Sequence, residues 1–452
     1  MNQDDKIVRT GSARTFLCGY FNWSANMGSV LLDWEKQILA TDYKHWCLEL
    51  DGSPTDVKNR NYWCHLYYES FVDSLLQKGE HWVKETDTPC CISGKKPSGA
   101  AFVFEFNVKR LHFFRFPSDK CIFSIELYAQ DVDLDNLTYM HSMLRENSLY
   151  DQVLKNEKYR GFDTYLKAVE PLKLISPDVG YTGWVDTGGK LKAFQIVGTD
   201  SIDDTLLYEL GTMTPIGAVK DISDSYSPSQ SYYDTIMNEN KISVFKNWTA
   251  LALLDTVTVI GNGNDRNFIW AASYFRMLYV HVLYQKVCLF DINRKFRDAE
   301  EDAVKLVEEM KDMEKNYSFP TVSYNFLPQL IYEKIKQGLE VDKEREQIHR
   351  YVEQDGKRQE KERDKESADA EKRLSNSVLG LTILTLGSVI YDVTSWVFEL
   401  IGQDNVCYRR MIAASVFIVV FAVTYGLFKQ RIDEWFSGRK LCVWIRNLWK
   451  RK

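Results

Sequence analysis

The longest uncharged patterns in the chain lie close to its C-terminal end. Leu374 to Tyr391 holds no charged residue, and past Asp392 the apolar character continues through Trp396, Val397 and Phe398 to Ile401. Met411 to Phe428 is equally free of charge. A helix of about 18 to 25 residues crosses a hydrocarbon core about 30 Å thick, so both segments are expected to be transmembrane helices joined by a short outer loop. The alternative is a buried hairpin in a soluble core, disfavoured because soluble helices of this length usually keep a polar face.

Upstream the pattern is that of a folded α+β body. Residues 15–83 are crowded with Tyr20, Phe21, Trp23, Trp34, Trp46, Trp63, Tyr67 and Tyr68, an aromatic area that needs burial. Trp63, Leu66, Tyr67, Phe71 and Leu75 recur at helical spacing. A Pro, Gly, Lys and Cys stretch from Asp87 to Gly99 is expected to be a loop. Alternating aromatic and β-branched residues at 101–109, 111–116 and 121–128, with a turn at Pro117 to Lys120, predict an antiparallel meander. Asp133 to Lys158 predicts a helix with Leu134, Leu137, Met140, Leu144 and Leu149 inward. Strands are expected at Tyr181 to Val185 and Leu191 to Val197 around an Asp186-Thr-Gly-Gly turn, then a short helix from Ser201 to Leu210. A polar stretch from Asp221 to Ser231 predicts a loop, followed by strands at Ile242 to Trp248 and Leu251 to Ile260.

Phe268 to Phe290 is long and apolar enough to suggest a span. It also holds Arg276, His281, Gln285 and Lys286, and charge inside a span is costly, so a central buried helix is expected instead. Asn293 to Tyr317 predicts an amphipathic partner for it. Past a break at Pro320 to Pro328, the chain from Gln329 is expected to run as one helix into the membrane. Leu330, Ile331, Ile335, Leu339, Ile348 and Val352 give that helix an apolar stripe at first. From Glu353 to Arg373 it is almost wholly polar, with Glu346/Arg350, Glu353/Lys357 and Asp369/Arg373 spaced four apart as in a solvated helix. A flexible linker is the competing account of that stretch. The fold class is therefore an α+β cytoplasmic domain with a mixed or antiparallel sheet, a long helical stalk and two C-terminal transmembrane helices. The segments are 1–318 for the domain, 319–373 for the stalk, 374–428 for the spans and 429–452 for a basic interfacial tail.

Charge sets the orientation. The tail after Phe428 has eight Lys or Arg against Asp433 and Glu434, which places both termini of a hairpin in the cytoplasm of an inner-membrane protein. Arg409 and Arg410, before the second span, count against this. A net charge of −6 argues against coating nucleic acid, and no direct nucleic-acid partner is expected. The nine cysteines show no C-x-x-C pair, so free thiols are expected. His45 with Cys47, or Cys64 with His65, could be imagined on zinc, but their spacing fits no common finger and core burial is favoured. The glycines at 188–189 belong to no G-x-x-x-x-G-K-[ST] loop and suit a hairpin turn better. No catalytic triad or paired-carboxylate centre is visible, and the chain is not expected to be an enzyme.

The layout resembles the CorA family of divalent-cation channels: an aromatic-rich body, two long helices, a stalk helix running into a first span, a short loop, a second span and a basic end. The local match is best at Ser388-Val-Ile-Tyr-Asp-Val-Thr, where the family has an aliphatic residue and Tyr followed by Gly-Met-Asn. Ile390 and Tyr391 match the first part, while Asp392, Val393 and Thr394 stand where the triplet would be. The resemblance covers 242–428 in layout. It implies a homopentamer in the lipid bilayer whose first span lines the pore, with Asn376, Gly380, Ile383, Gly387, Ile390 and Thr394 on the axis and Tyr391 and Asp392 at the outer mouth. Helix packing is the alternative use of the two glycines. Without the triplet, Mg2+ selectivity does not carry over.

A branch of CorA-like proteins lacking Gly-Met-Asn acts as membrane effectors of type III CRISPR antiviral defence, opened by a nucleotide second messenger made from S-adenosylmethionine and AMP (SAM-AMP). The large aromatic N-terminal part is similar in plan to such a sensor, and implies a channel opened by a ligand on the cytoplasmic domain. A constitutive magnesium or other divalent metal transporter of the same family is the alternative. A membrane-tethered scaffold is a third.

Overall fold

The computed structural model describes residues 10–22, 44–45, 63–76, 80–116, 120–146, 159–172, 190–200, 202–262, 271–298, 303–401, 410–412, 414–419 and 422. The expected strand at Tyr181 to Val185, the Asp186 turn, Leu149, most of the second span and the basic tail lie outside them. The chain divides into a compact unit ending at Val352 and a second unit from Glu353 onward.

Strand β1 (Thr10–Asn22) sits in the middle of the first unit's sheet. It is followed by β2 (Lys44–His45), α1 (Glu69–Leu76), β3 (Glu80–Lys95), β4 (Ala101–Arg115) and β5 (Lys120–Asp133). Helix α2 (Leu134–Arg145) starts on Asp133, whose carboxylate accepts from the backbone N–H of Asp135 at 2.7 Å and of Asn136 at 3.2 Å. These bonds satisfy amides that a helix start leaves open. Then come β6 (Tyr159–Arg160), α3 (Phe162–Val169), β7 (Lys192–Gly198), α4 (Asp204–Thr212), α5 (Gln230–Asn240), β8 (Lys241–Phe245), β9 (Trp248–Ala252) and β10 (Thr256–Gly261). A π-helical turn, Ala271–Phe275, leads into α6 (Arg276–Asp298), and α7 (Ala303–Tyr317), α8 (Phe326–Gly338) and α9 (Val341–Ile401) follow.

The sheet runs β2-β3-β4-β5-β1-β7-β10-β9-β8, with β6 paired to β3. It is mixed: β7 and β10 pair parallel and the other pairs are antiparallel. Alternation along β1 feeds two cores. Ala13 and Leu17 join Leu134, Leu137, Phe162, Tyr165, Leu206 and Leu207 of α2, α3 and α4 on one face. Phe16, Cys18 and Tyr20 join Phe71 of α1 and the buried sides of α6, α7 and α8 on the other.

Helix α6 is the buried helix its polar interruptions implied. Arg276, His281 and Gln285 are all enclosed, and Gln285 Nε2 donates to the Tyr317 carbonyl at 2.6 Å and to the Tyr332 hydroxyl at 3.1 Å. The runs 101–109 and 111–116 are one strand, β4, which pairs antiparallel with β5, and the stripe Ile331, Ile335, Leu339 and Ile348 is buried.

Four expectations are corrected. Asp87 to Lys95 is strand, not loop: β3 bulges between Glu85 and Thr88, with Asp87 at φ 38°, and only the turn after Lys95 is loop. Pro89 is tolerated because, among the described residues, β4 pairs with that part of β3 on one side only. The two strands expected between Ile242 and Ile260 are three, with turns after Phe245 and Ala252. Helix α6 runs on to Asp298, so its partner begins at Ala303 rather than Asn293. Finally, the helix expected from Gln329 is interrupted between Gly338 and Val341, where Glu340 takes φ 55°. A Cβ on Gly338 would stand 2.5 Å from the Ala252 carbonyl oxygen, so the end of β9 occupies the space at which α8 stops.

Candidate functional site

Helix α9 spans 61 residues, about 90 Å at 1.5 Å per residue. It is the one helix among the described residues long and apolar enough to cross a membrane. A shorter apolar helix, α10 (Arg410–Val419), lies where the second span was expected, and a second complete span is not shown.

The hydroxyls in these apolar stretches are turned back onto their own helices. Thr382 donates to Val378 O at 2.8 Å, Thr385 to Leu381 O at 2.9 Å, Thr394 to Ile390 O at 2.7 Å and Ser415 to Met411 O at 2.9 Å. A polar group satisfied one turn back carries little penalty in hydrocarbon. Between Glu353 and Arg373 the helix is solvated, and Glu346–Arg350 at 2.6 Å and Glu353–Lys357 at 2.7 Å form the expected pairs.

Asn376, Gly380, Gly387, Ile390 and Thr394 are half-buried on one stripe of α9, whereas Tyr391 and Asp392 are exposed. Ile383 lies on the same helix. A Cβ on Gly387 would come within 3.2 Å of the Phe417 ring of α10, while one on Gly380 would meet nothing within 4 Å. Gly387 thus lies at a close approach of α9 and α10, the kind of place where small residues commonly serve helix packing.

The first unit holds a buried charge cluster that sequence reasoning missed. Arg14 of β1 meets Glu126 of β5 at 2.6 Å, and His112 Nε2 of β4 lies 2.9 Å from the other Glu126 oxygen. His81 Nε2 of β3 is 3.2 Å from His112 Nδ1, and Arg276 at the start of α6 places Nη1 3.4 Å from His112 Nε2. The Arg276 guanidinium also sits 4.6 Å from the Phe16 ring centroid, a cation–π distance.

Burial alone would raise the Glu126 carboxyl. The hydrogen bond from His112 and the charges around it, including Arg14 and Arg276, outweigh burial and hold it well below the usual carboxylate range. Burial lowers His112 to about 4, against the opposing pull of Glu126, so the ring is neutral at neutral pH. An ionised Glu126 can only accept, so Nε2 of His112 carries the proton and Nδ1 accepts from His81. Burial likewise lowers Arg276 to about 10, leaving it charged.

A cavity of about 450 Å³ opens beside this cluster, lined by Arg14, Glu85, Lys109, Arg110, Glu126 and Tyr128 among others. Its cations are already paired: Lys109 with Asp87 at 2.6 Å, Arg110 with Glu85 at 3.3 Å and Arg14 with Glu126. An anion entering there would have to displace internal carboxylates, so the cluster works as a lock between the sheet and α6. The only local hint of it in the sequence was Arg276 inside an apolar run.

Among the described residues no group of three or more His, Cys, Asp or Glu has an arrangement that could hold a metal ion. No protein-family model matches the chain, and no curated protein or solved structure matches it.

Proposed function

We propose that the chain is a homopentameric membrane channel on the CorA-like plan, opened by a ligand bound to its folded first unit. The observation that supports this reading is the continuity of α9: Val341 and Ile348 are core residues of the folded unit, and the same uninterrupted helix continues through the exposed apolar stretch from Leu374 to Ile401. A turn or tilt at its anchored start is carried along a stiff element. The polar section from Glu353 to Arg373 has no dry core to hold it, which suits an element with two arrangements. A ligand moves such an equilibrium by binding one arrangement better than the other.

On this reading the ligand is a nucleotide messenger of the SAM-AMP kind, and the biological role is that of a type III CRISPR effector in an inner membrane. Thr394 and Asp392 at the outer mouth draw cations, Mg2+ among them, without the family's selectivity. Inserting two residues after Gly356 turns everything beyond by about 200° relative to what precedes it. The insertion is expected to leave ligand binding intact and abolish ligand-dependent flux. Unchanged ligand-dependent flux would make α9 a passive spacer and end the gating account.

A further inference from the structure

Two carboxylates interrupt the apolar stretch of α9, and both stand on one face of it. Asp392 and Glu399 lie about two turns apart and within about 20° of one another around the helix axis. Both are exposed, and among the described residues neither makes an ion pair. Leu381, Val389 and Trp396 are exposed on the same face, all five within about 80°. Neither solvent suits such a surface. Hydrocarbon penalises the carboxylates, and water penalises the apolar row between them. Ionisable groups on a membrane helix turn instead toward other protein or a water-filled path.

The chain's own α10 does not cover this face. Gly387 marks the side of α9 on which α10 packs, because a Cβ there would come within 3.2 Å of the Phe417 ring. At about 100° per residue, Asp392 lies about 140° and Glu399 about 120° round the axis from that contact. Only residues 402–409 join the two helices, so α10 runs back along α9. Arg410, at the head of α10, then stands about 10 Å outward of the contact, level with the part of α9 between Asp392, about 8 Å outward, and Glu399, about 18 Å outward. Arg410 is exposed and, among the described residues, makes no ion pair. Opposite charges therefore share one depth of the chain on sides turned away from each other.

We infer that the acidic face of α9 is the docking surface for a second copy of this chain, whose Arg410 pairs with Asp392 and Glu399. The face asks for a partner that brings apolar surface and a cation at this depth, and a neighbouring copy turned about an axis along the membrane normal brings both. Each copy offers the carboxylates on one side and the arginine on another, so the contact is head-to-tail and closes into a ring. The inference rests on the oligomeric channel proposed above and names the residues that hold its copies together. Two carboxylates meet one arginine, which leaves one of their charges per copy unneutralised at the outer end, in keeping with a mouth that draws cations. The pairing also gives a use to an outer arginine that runs against the orientation of the spans.

The test uses full-length protein in membranes, with two differently tagged chains produced together, one carrying Asp392→Cys and the other Arg410→Cys. A short bismaleimide is expected to yield a cross-linked product bearing both tags, well above mixtures in which either chain keeps its own residue, which measure the background from the native cysteines. A second measurement reverses the charges. Arg410→Glu is expected to raise at least about tenfold the concentration at which half the chains are assembled in detergent, and adding Asp392→Arg and Glu399→Arg to the same chain is expected to restore assembly. A two-tag product no greater than background, assembly indifferent to Arg410→Glu, or no recovery in the triple variant would each overturn the assignment. Wild-type protein that assembles without the two-tag product overturns this contact and leaves the oligomeric channel standing, whereas wild-type protein that is monomeric in the membrane overturns both.

Discussion

The position a Cβ would occupy on Gly387 lies 3.2 Å from Cε2 of Phe417, so α9 and α10 come close at this point and a side chain there requires the Phe417 ring to shift. About two turns earlier on the same half-buried stripe, Gly380 has open space in front of it. Gly387→Leu is expected to force the two helices apart and lower the yield of folded, membrane-inserted protein. Gly380→Leu is expected to keep the yield and reduce flux, because in the proposed channel the added side chain projects into the ion path. Normal flux through Gly380→Leu would remove this stripe from the path.

Glu126 neutralises a buried neighbourhood in which Arg276 is 3% exposed. Glu126→Gln removes the carboxylate that pairs with Arg14 and His112 and whose charge favours the Arg276 cation, and is expected to destabilise the first unit by about 3 to 5 kcal/mol, read from a denaturation midpoint. Adding Arg276→Met is expected to recover part of the loss, since it removes the stranded charge. A double variant no more stable than the single one would show that the pair is not coupled in this way.

Acid is expected to unfold the first unit through its histidines. Burial lowers His112 and His141 to about 4 and His281 to about 3, against 6.5 in an open chain. These groups are depressed in the folded state, so their stabilising contribution is present above pH 6.5 and is lost as pH falls through that value toward 4. The unfolded chain then binds three protons that the folded one refuses, a slope of roughly 4 kcal/mol per pH unit near pH 5. His281 sits among Phe71, Phe319 and Tyr332, so His281→Phe suits the site and is expected to remove about a third of that slope. A thermal midpoint that does not change between about pH 7 and pH 5 would contradict this.

How much of this was legible in the sequence varies with the physical signal. The first half of β4 alternates exposed and buried over 101–108, β5 is buried on both faces but rich in β-branched and aromatic residues, and α6 declares itself by length, so these could be read directly. Strand β1 could not, because its residues are buried on both faces and the pattern loses its period of two. The break before Val341 was hidden by good helix formers on either side of a single Gly338, and what ends α8 is the Ala252 carbonyl, distant in sequence. Pro89 and its neighbours carry loop chemistry, yet the one-sided pairing of β3 there accommodates them. The Arg14–Glu126–His112–Arg276 cluster has no spacing to find: strand register and the start of α6 bring together residues up to 262 positions apart, from 14 to 276. Arg145 and Asp255 meet for the same reason, across the edge where α2 ends and β10 begins.

The most direct measurement is cation flux from liposomes holding the purified full-length protein, recorded before and after a nucleotide messenger joining S-adenosylmethionine and AMP is added on the side of the folded unit. The account predicts little flux without it and a marked, saturable rise with it, lost in the two-residue insertion after Gly356. Flux that is constant with and without nucleotide would point to a constitutive transporter. No flux from correctly inserted protein under either condition would reduce α9 to a tether and contradict the channel itself.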